Sequence, residues 1–173
     1  MIQNIVAMDM VASPARMIES PALDYQTLAP LLIMFGGACV ALLLDAFVRR
    51  PARAIVQLVS VFAVLIATMG MLIANWVDGR FAVVANGLLA MDKPTYVAQG
   101  ALIVFTALCM ILFSTRHARR LKTIPESERT EHSEIYVLAL FSLFGMMLFA
   151  AATNLLMLFV ALEVMSLPLY VLS

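Results

Sequence analysis

A chain of 173 residues has the length of one or two small soluble domains, but its composition excludes that. Hydrophobic residues are 64% and charged residues 13% of the chain, against about 45–50% and about 25% in soluble domains. A body of this size has too much surface to hide that excess from water, so lipid is the solvent that fits. The 11 basic and 11 acidic residues cancel, which leaves no bulk field to favour nucleic acid or an acidic partner.

The first segment, residues 1–27, has Asp9 as its first charge and lacks the basic start and uncharged apolar core of a secretory signal. It is expected to be an external segment, loosely ordered or lying on the membrane surface. A spanning helix needs about 20 mostly apolar residues, and five runs supply them: Leu28–Phe47, Ala54–Trp76, Val97–Ser114, Ile135–Ala152 and Leu155–Ser173. The runs lack the alternating polar positions of an outer-membrane barrel. The fold class expected is therefore an all-α polytopic membrane protein with five transmembrane helices. Residues 28–114 hold the first three, 115–134 form a charged loop, and 135–173 hold the last two.

Lys and Arg set the orientation. Arg49, Arg50 and Arg53 follow span one, and Arg116, Arg119, Arg120, Lys122 and Arg129 follow span three, against Arg16, Arg80 and Lys93 opposite. Eight against three places those two loops in the cytoplasm and the N-terminus outside. In the outer loop, Asn86-Gly87 separates two short apolar runs within 81–91. Asn-Gly is the strongest short hairpin signal, because both turn residues must accept positive φ, so the loop reads either as a two-stranded ribbon or as an irregular loop. The 115–134 loop reads as a solvated connector, with lipid-headgroup contact by Arg116–Lys122 as the sharper alternative.

Several residues have plain packing roles. Cys39 and Cys109 lie 70 residues apart in apolar runs, which excludes a disulfide scaffold and the common zinc spacings. His117 and His132 have no third partner, so no metal site is expected. Gly37 with Ala41, and Ala63 with Ala67, suit close helix approach, and the 13 Met are adaptable filler. Asp45 has Arg49 four residues on, a spacing that allows an interfacial ion pair.

Glu163 is different. It lies nine residues past Asn154, about 13 Å into a core about 30 Å thick. A charge there costs at least about 2.5–3.5 kcal/mol, and burial raises a carboxyl pKa, so the group can become neutral instead. A proton-exchanging carboxyl at mid-membrane is what a proton relay requires. Ser166 and Tyr170 fall on its helical face, and Tyr170 equally suits an interfacial aromatic anchor. Pro168 frees the carbonyl of Val164 and is expected to bend the helix beside the acid. The alternative is a hydrogen-bonded packing residue.

Gly145-Met146-Met147, the turn Ala152–Leu156, and Leu162-Glu163 followed by Ser166-Leu167-Pro168-Leu169-Tyr170 carry a family likeness. Together with Leu43-Leu44-Asp45, more loosely, they resemble the subunit N family, antiporter-like proton-channel subunits of bacterial NADH-quinone oxidoreductase, respiratory complex I. The resemblance implies a multi-pass protein of the bacterial inner membrane whose Glu163 is the essential carboxylate of a proton half-channel. Its partner lysine would lie on a later span, beyond Ser173. Family members have many more spans, so the chain resembles their N-terminal third, a truncated antiporter-like fold. NADH, FMN, Fe–S clusters and quinone would belong to the parent complex. This chain has no Fe–S cysteine pattern and no dinucleotide glycine fingerprint, and no cofactor of its own is expected. Its expected partners are other membrane subunits, the bilayer and protons. A sodium/proton antiporter subunit and a non-catalytic assembly or scaffold protein remain the alternatives.

Overall fold

Asp24 starts the first helix. Its carboxylate accepts the amide of Gln26 at 3.2 Å and the hydroxyl of Thr27 at 2.6 Å, satisfying donors that a helix start leaves without partners. The Thr27 hydroxyl, chiefly, holds the Asp24 carboxyl below its usual pKa. The computed structural model describes residues 24–47, 50–121 and 134–172. Along it run α1 (Tyr25–Phe47), α2 (Arg50–Val77), β1 (Ala82–Val84), β2 (Leu89–Met91), α3 (Lys93–Leu121), α4 (Glu134–Ala151) and α5 (Leu155–Leu172).

All five expected spans are helices. Three, α1, α2 and α3, contain segments long and apolar enough to cross a membrane. The apolar parts of α4 and α5, Ile135–Ala151 and Leu155–Val171, are shorter, near the lower limit of about 17 residues. Helix ends differ from expectation where polar residues join the helix: α1 starts at its Asp24 cap, and α3 runs from Lys93 to Leu121, so the first part of the expected loop is helical. The rest of that loop, most of the 1–27 segment, and Arg49 lie outside the described residues.

The bundle is arranged around α4, which touches the other four helices and β2. Tyr136, Val137, Leu140, Leu143, Met147 and Ala151 are all buried along it. On α1 the buried stripe is Met34, Ala38, Ala41 and Asp45, spaced at helical intervals. Asp45 thus continues an interior face and is only 7% exposed. Gly37 does mark a close approach, since a Cβ there would stand 2.5 Å from the Val64 side chain. Ala63 and Ala67 do not: both are exposed, because the buried face of α2 is Gln57, Val61, Leu65, Thr68, Leu72 and Asn75.

The ribbon closes one end of the bundle. Ala82 pairs with Met91 and Val84 with Leu89, and the turn bond runs from the amide of Leu88 to the carbonyl of Ala85. Asn86 and Gly87 are its central residues, at φ of 56° and 85°, as a primed hairpin turn demands. Neighbouring elements are tied to this end. The Tyr96 hydroxyl donates to the carbonyl of Arg80 at 2.9 Å, and Phe81 packs between Trp76, edge to face, and the tilted ring of Tyr96.

Side-chain amides couple the helices. Gln57 donates to the carbonyl of Ala41 at 3.2 Å and Asn75 to that of Gln26 at 2.9 Å. The second bond has a specific cause. Pro30 lies inside α1 and has no N–H, so the carbonyl four residues earlier, that of Gln26, loses its helical donor, and Asn75 supplies one from α2. Asn75→Leu should therefore lower stability by about 1–3 kcal/mol. Pro30→Ala, which restores the helical donor, should recover part of that loss in the Asn75→Leu background. Unfolding midpoints of the purified protein in detergent give the double-mutant cycle, and strict additivity would remove the coupling.

Candidate functional site

Glu163 stands in the middle of α5, eight residues from Leu155 and nine from Leu172. Two contacts fix how that helix is held. At its start, the side chain of Asn154 accepts the amide of Met157 at 2.8 Å. In the same turn, Thr153 bonds to the ribbon, its amide donating to the carbonyl of Leu88 and its hydroxyl to that of Gly87. The turn between α4 and α5 is thereby fastened to the ribbon end, which sets the height of α5.

The second contact sets its rotation. A Cβ on Gly145 would lie 2.5 Å from the backbone nitrogen of Met165 and 2.7 Å from its Cα, so only glycine admits this approach between α4 and α5. Ser142 adds a hydroxyl bond to the carbonyl of Met165 at 3.4 Å. With Met165 turned to α4, the residue two places earlier is rotated by about 200°, and Glu163 is exposed on the far side of the helix. Leu167 and Tyr170 share that open face, whereas Pro168 is buried.

The structure brings some of the expected site residues together. The Ser166 hydroxyl donates to the main-chain carbonyl of Glu163 at 3.2 Å, not to its carboxyl, so it braces the backbone of the acid. α5 continues as helix through Pro168 to Leu172. Among the described residues no side chain donates to the Glu163 carboxylate. Chemically, the site is a carboxylate on the exposed face of an otherwise apolar helix. Among the described residues no group of three His, Cys, Asp or Glu is placed to hold a metal ion.

A second set of polar residues escaped the sequence reading. Gln99 is fully buried and donates to the carbonyl of Met147 at 3.2 Å, while its Oε1 has no partner. Thr95, one turn earlier, reaches the carbonyl of Ala150 at 3.5 Å. Thr95, Gln99 and Thr106 on α3, and Gln57, Thr68 and Asn75 on α2, fall at helical spacing in apolar spans. That spacing was the available signal.

No family model matches the chain. Curated proteins do. It is 36% identical over 171 residues to NADH-quinone oxidoreductase subunit N of Cutibacterium acnes, an alignment covering 90% of this chain and 32% of that protein. To the subunit N of a Nocardioides species it is 40% identical, covering 88% and 33%. To that of Salinispora arenicola it is 34% identical, covering 90% and 32%. The chain is a homologue of subunit N, and it spans about a third of the length of these relatives.

The α4–α5 clamp is testable. Gly145→Ala should force the two helices apart and cost about 1–3 kcal/mol, as overpacking does. Gly36→Ala, where an added Cβ meets nothing within 4 Å, should hold or modestly raise the unfolding midpoint, since Ala favours the helix. Equal midpoints for both variants would show that the contact is not tight.

Proposed function

We propose that this homologue of subunit N serves the membrane arm of a bacterial NADH-quinone oxidoreductase as a proton-translocating unit, with Glu163 as the group that takes up and releases the proton. The observation carrying this reading is the placement of Glu163, at the centre of α5 and on the face turned away from α4. A carboxylate facing hydrocarbon is costly, so such groups sit against protein or water and mark ion pathways. The names of the relatives supply the setting: a complex that passes electrons from NADH to quinone. FMN, Fe–S clusters and quinone belong to its other subunits, and energy released there drives the protonation change at Glu163. This chain contributes no redox centre.

The supporting residues have separable tasks. Ser166 holds the backbone of the acid. Pro168 leaves the carbonyl of Val164 without its helical donor, offering an acceptor one residue beyond Glu163. Tyr170 brings a hydroxyl to the same face. Asp45, buried at the far end of α1 from the ribbon, is assigned an ion pair with Arg49 that anchors this end.

The N-terminus is assigned to the outer side, together with the ribbon and the turn between α4 and α5. The basic asymmetry of eight to three supports it. With the native cysteines replaced, Ser13→Cys and Val83→Cys should react with an impermeant thiol reagent in intact cells, and Ser127→Cys should not. Labelling of Ser127→Cys alone would reverse the orientation.

For Glu163 the decisive variant is Glu163→Gln in the full subunit and assembled complex. Gln keeps the size and hydrogen bonding of the acid but cannot exchange a proton near neutral pH. Assembly should survive, and NADH-driven proton pumping into vesicles should fall at least several-fold. Glu163→Asp, which keeps the proton chemistry one methylene further back, should retain part of it. Full pumping by the Gln variant at normal subunit levels would make Glu163 a packing residue.

A further inference from the structure

Gln99 stands where α3, α4 and the ribbon meet, and it is fully buried. Two acceptors fix which way its amide is turned: the carbonyl of Met147 at 3.2 Å and the sulfur of Met91 at 4.0 Å, both facing Nε2. A reversed amide would set oxygen against both of them. Oε1 is therefore held on the other side of the amide, and it has no donor among the described residues. An amide oxygen taken out of water and given no donor is costly, and hydrocarbon supplies none.

A second group, one turn away, is also short of a donor. Ala150 lies in the last turn of α4, where main-chain carbonyls have no helical amide to accept from. Its hydrogen bond among the described residues comes from the Thr95 hydroxyl at 3.5 Å, far longer than the usual O–H···O length of about 2.7–2.8 Å. Thr95 and Gln99 are four residues apart on α3, and Met147 and Ala150 three apart on α4, so each pair shares a helical face. The two links are thus neighbouring rungs, about one helical pitch of 5.4 Å apart. That spacing is about twice a hydrogen-bond length, so one small molecule between the rungs reaches both. Ala150 is only half-buried, which leaves the rungs a way in from the ribbon end of the bundle.

We propose that Gln99 and Thr95 hold one ordered water molecule between α3 and α4. The water donates one hydrogen to Gln99 Oε1 and the other to the carbonyl of Ala150, and it accepts the Thr95 hydroxyl. Three hydrogen bonds are what a buried water typically makes, and together they meet both groups that lack a donor. The water joins α3 to the same end of α4 that Thr153 fastens to the ribbon. The site is independent of the proton chemistry assigned to Glu163.

The test is a structure of the full subunit in lipid at a resolution that shows ordered water. One density peak should stand within about 2.6–3.2 Å of both Gln99 Oε1 and Thr95 Oγ1. Thr95→Val, which keeps the shape and removes the hydroxyl, and Gln99→Met, which keeps the length and removes the amide, should each abolish the peak. In solution, magnetisation transfer from water to the Gln99 side-chain amide should fall about threefold or more in Thr95→Val, because the water then has one partner fewer. The native map decides the proposal even where a variant fails to fold. A protein group donating directly to Oε1, whether the Thr95 hydroxyl or a side chain from elsewhere in the subunit, would overturn it, as would a map with no peak there. A peak kept in both variants, or transfer unchanged in Thr95→Val, would overturn the assignment of these two side chains.

Discussion

Inside a bilayer a polar group that is not met by protein has nothing else to meet it, and this constraint organises the whole bundle. Pro30 strands a carbonyl in α1, and Asn75 reaches across from α2 to satisfy it. Gln57 makes a second such link between the same helices, to Ala41. Thr95 and Gln99 do the same from α3 to the carbonyls of α4. Each link specifies a neighbour as well as lowering a cost. Apolar packing in lipid is poorly selective, since lipid tails are as apolar as leucine. A donor that must find a carbonyl at one height on one helix is far more selective.

α4 and α5 show how equal composition leads to different positions. Both are apolar on all sides, a pattern that means burial in protein or a membrane span and does not say which. The contacts decide. α4 touches every other helix, while α5 packs chiefly against α4 and leaves Phe159, Leu167 and Val171 exposed. Gly145 and Ser142 are what hold them together: one removes the side chain that would separate the backbones, the other donates across the gap.

How far the sequence was legible follows from the same physics. Spans are written in residue type, since lipid demands about 20 apolar residues in a row, and all five runs are helical. The Asn86-Gly87 turn was legible because few residue pairs accept two positive φ values. Faces were not. Ala63 and Ala67 have the spacing of a helix contact but point outward, because small residues permit close approach without requiring it. Gly145 entered the sequence reading only as part of a family likeness, though it makes the tightest backbone approach among the described glycines. The interior amides were not legible because a neutral polar side chain costs far less than a charge to bury and so does not break an apolar run. Helix ends shifted wherever a polar residue, such as Asp24 or Lys93, joined the first turn or capped it.

The two sides of α5 meet different surroundings. Met165, Pro168 and Ala161 face inward and are held by packing, while Glu163 is turned about half a revolution from the Gly145 contact. The residues that hold the acid in place are therefore not those that share its exposed face. Its height is set from the ribbon end through Thr153, its rotation by the glycine contact, and its local backbone by Ser166. A helix rises about 1.5 Å and turns about 100° per residue. One residue of slippage at the clamp would thus swing the carboxylate through more than a quarter turn while moving it little in depth. Rotation, more than depth, is what the α4–α5 contact controls, and this is why a glycine with no chemistry of its own sits opposite the one acidic residue in the middle of a described span.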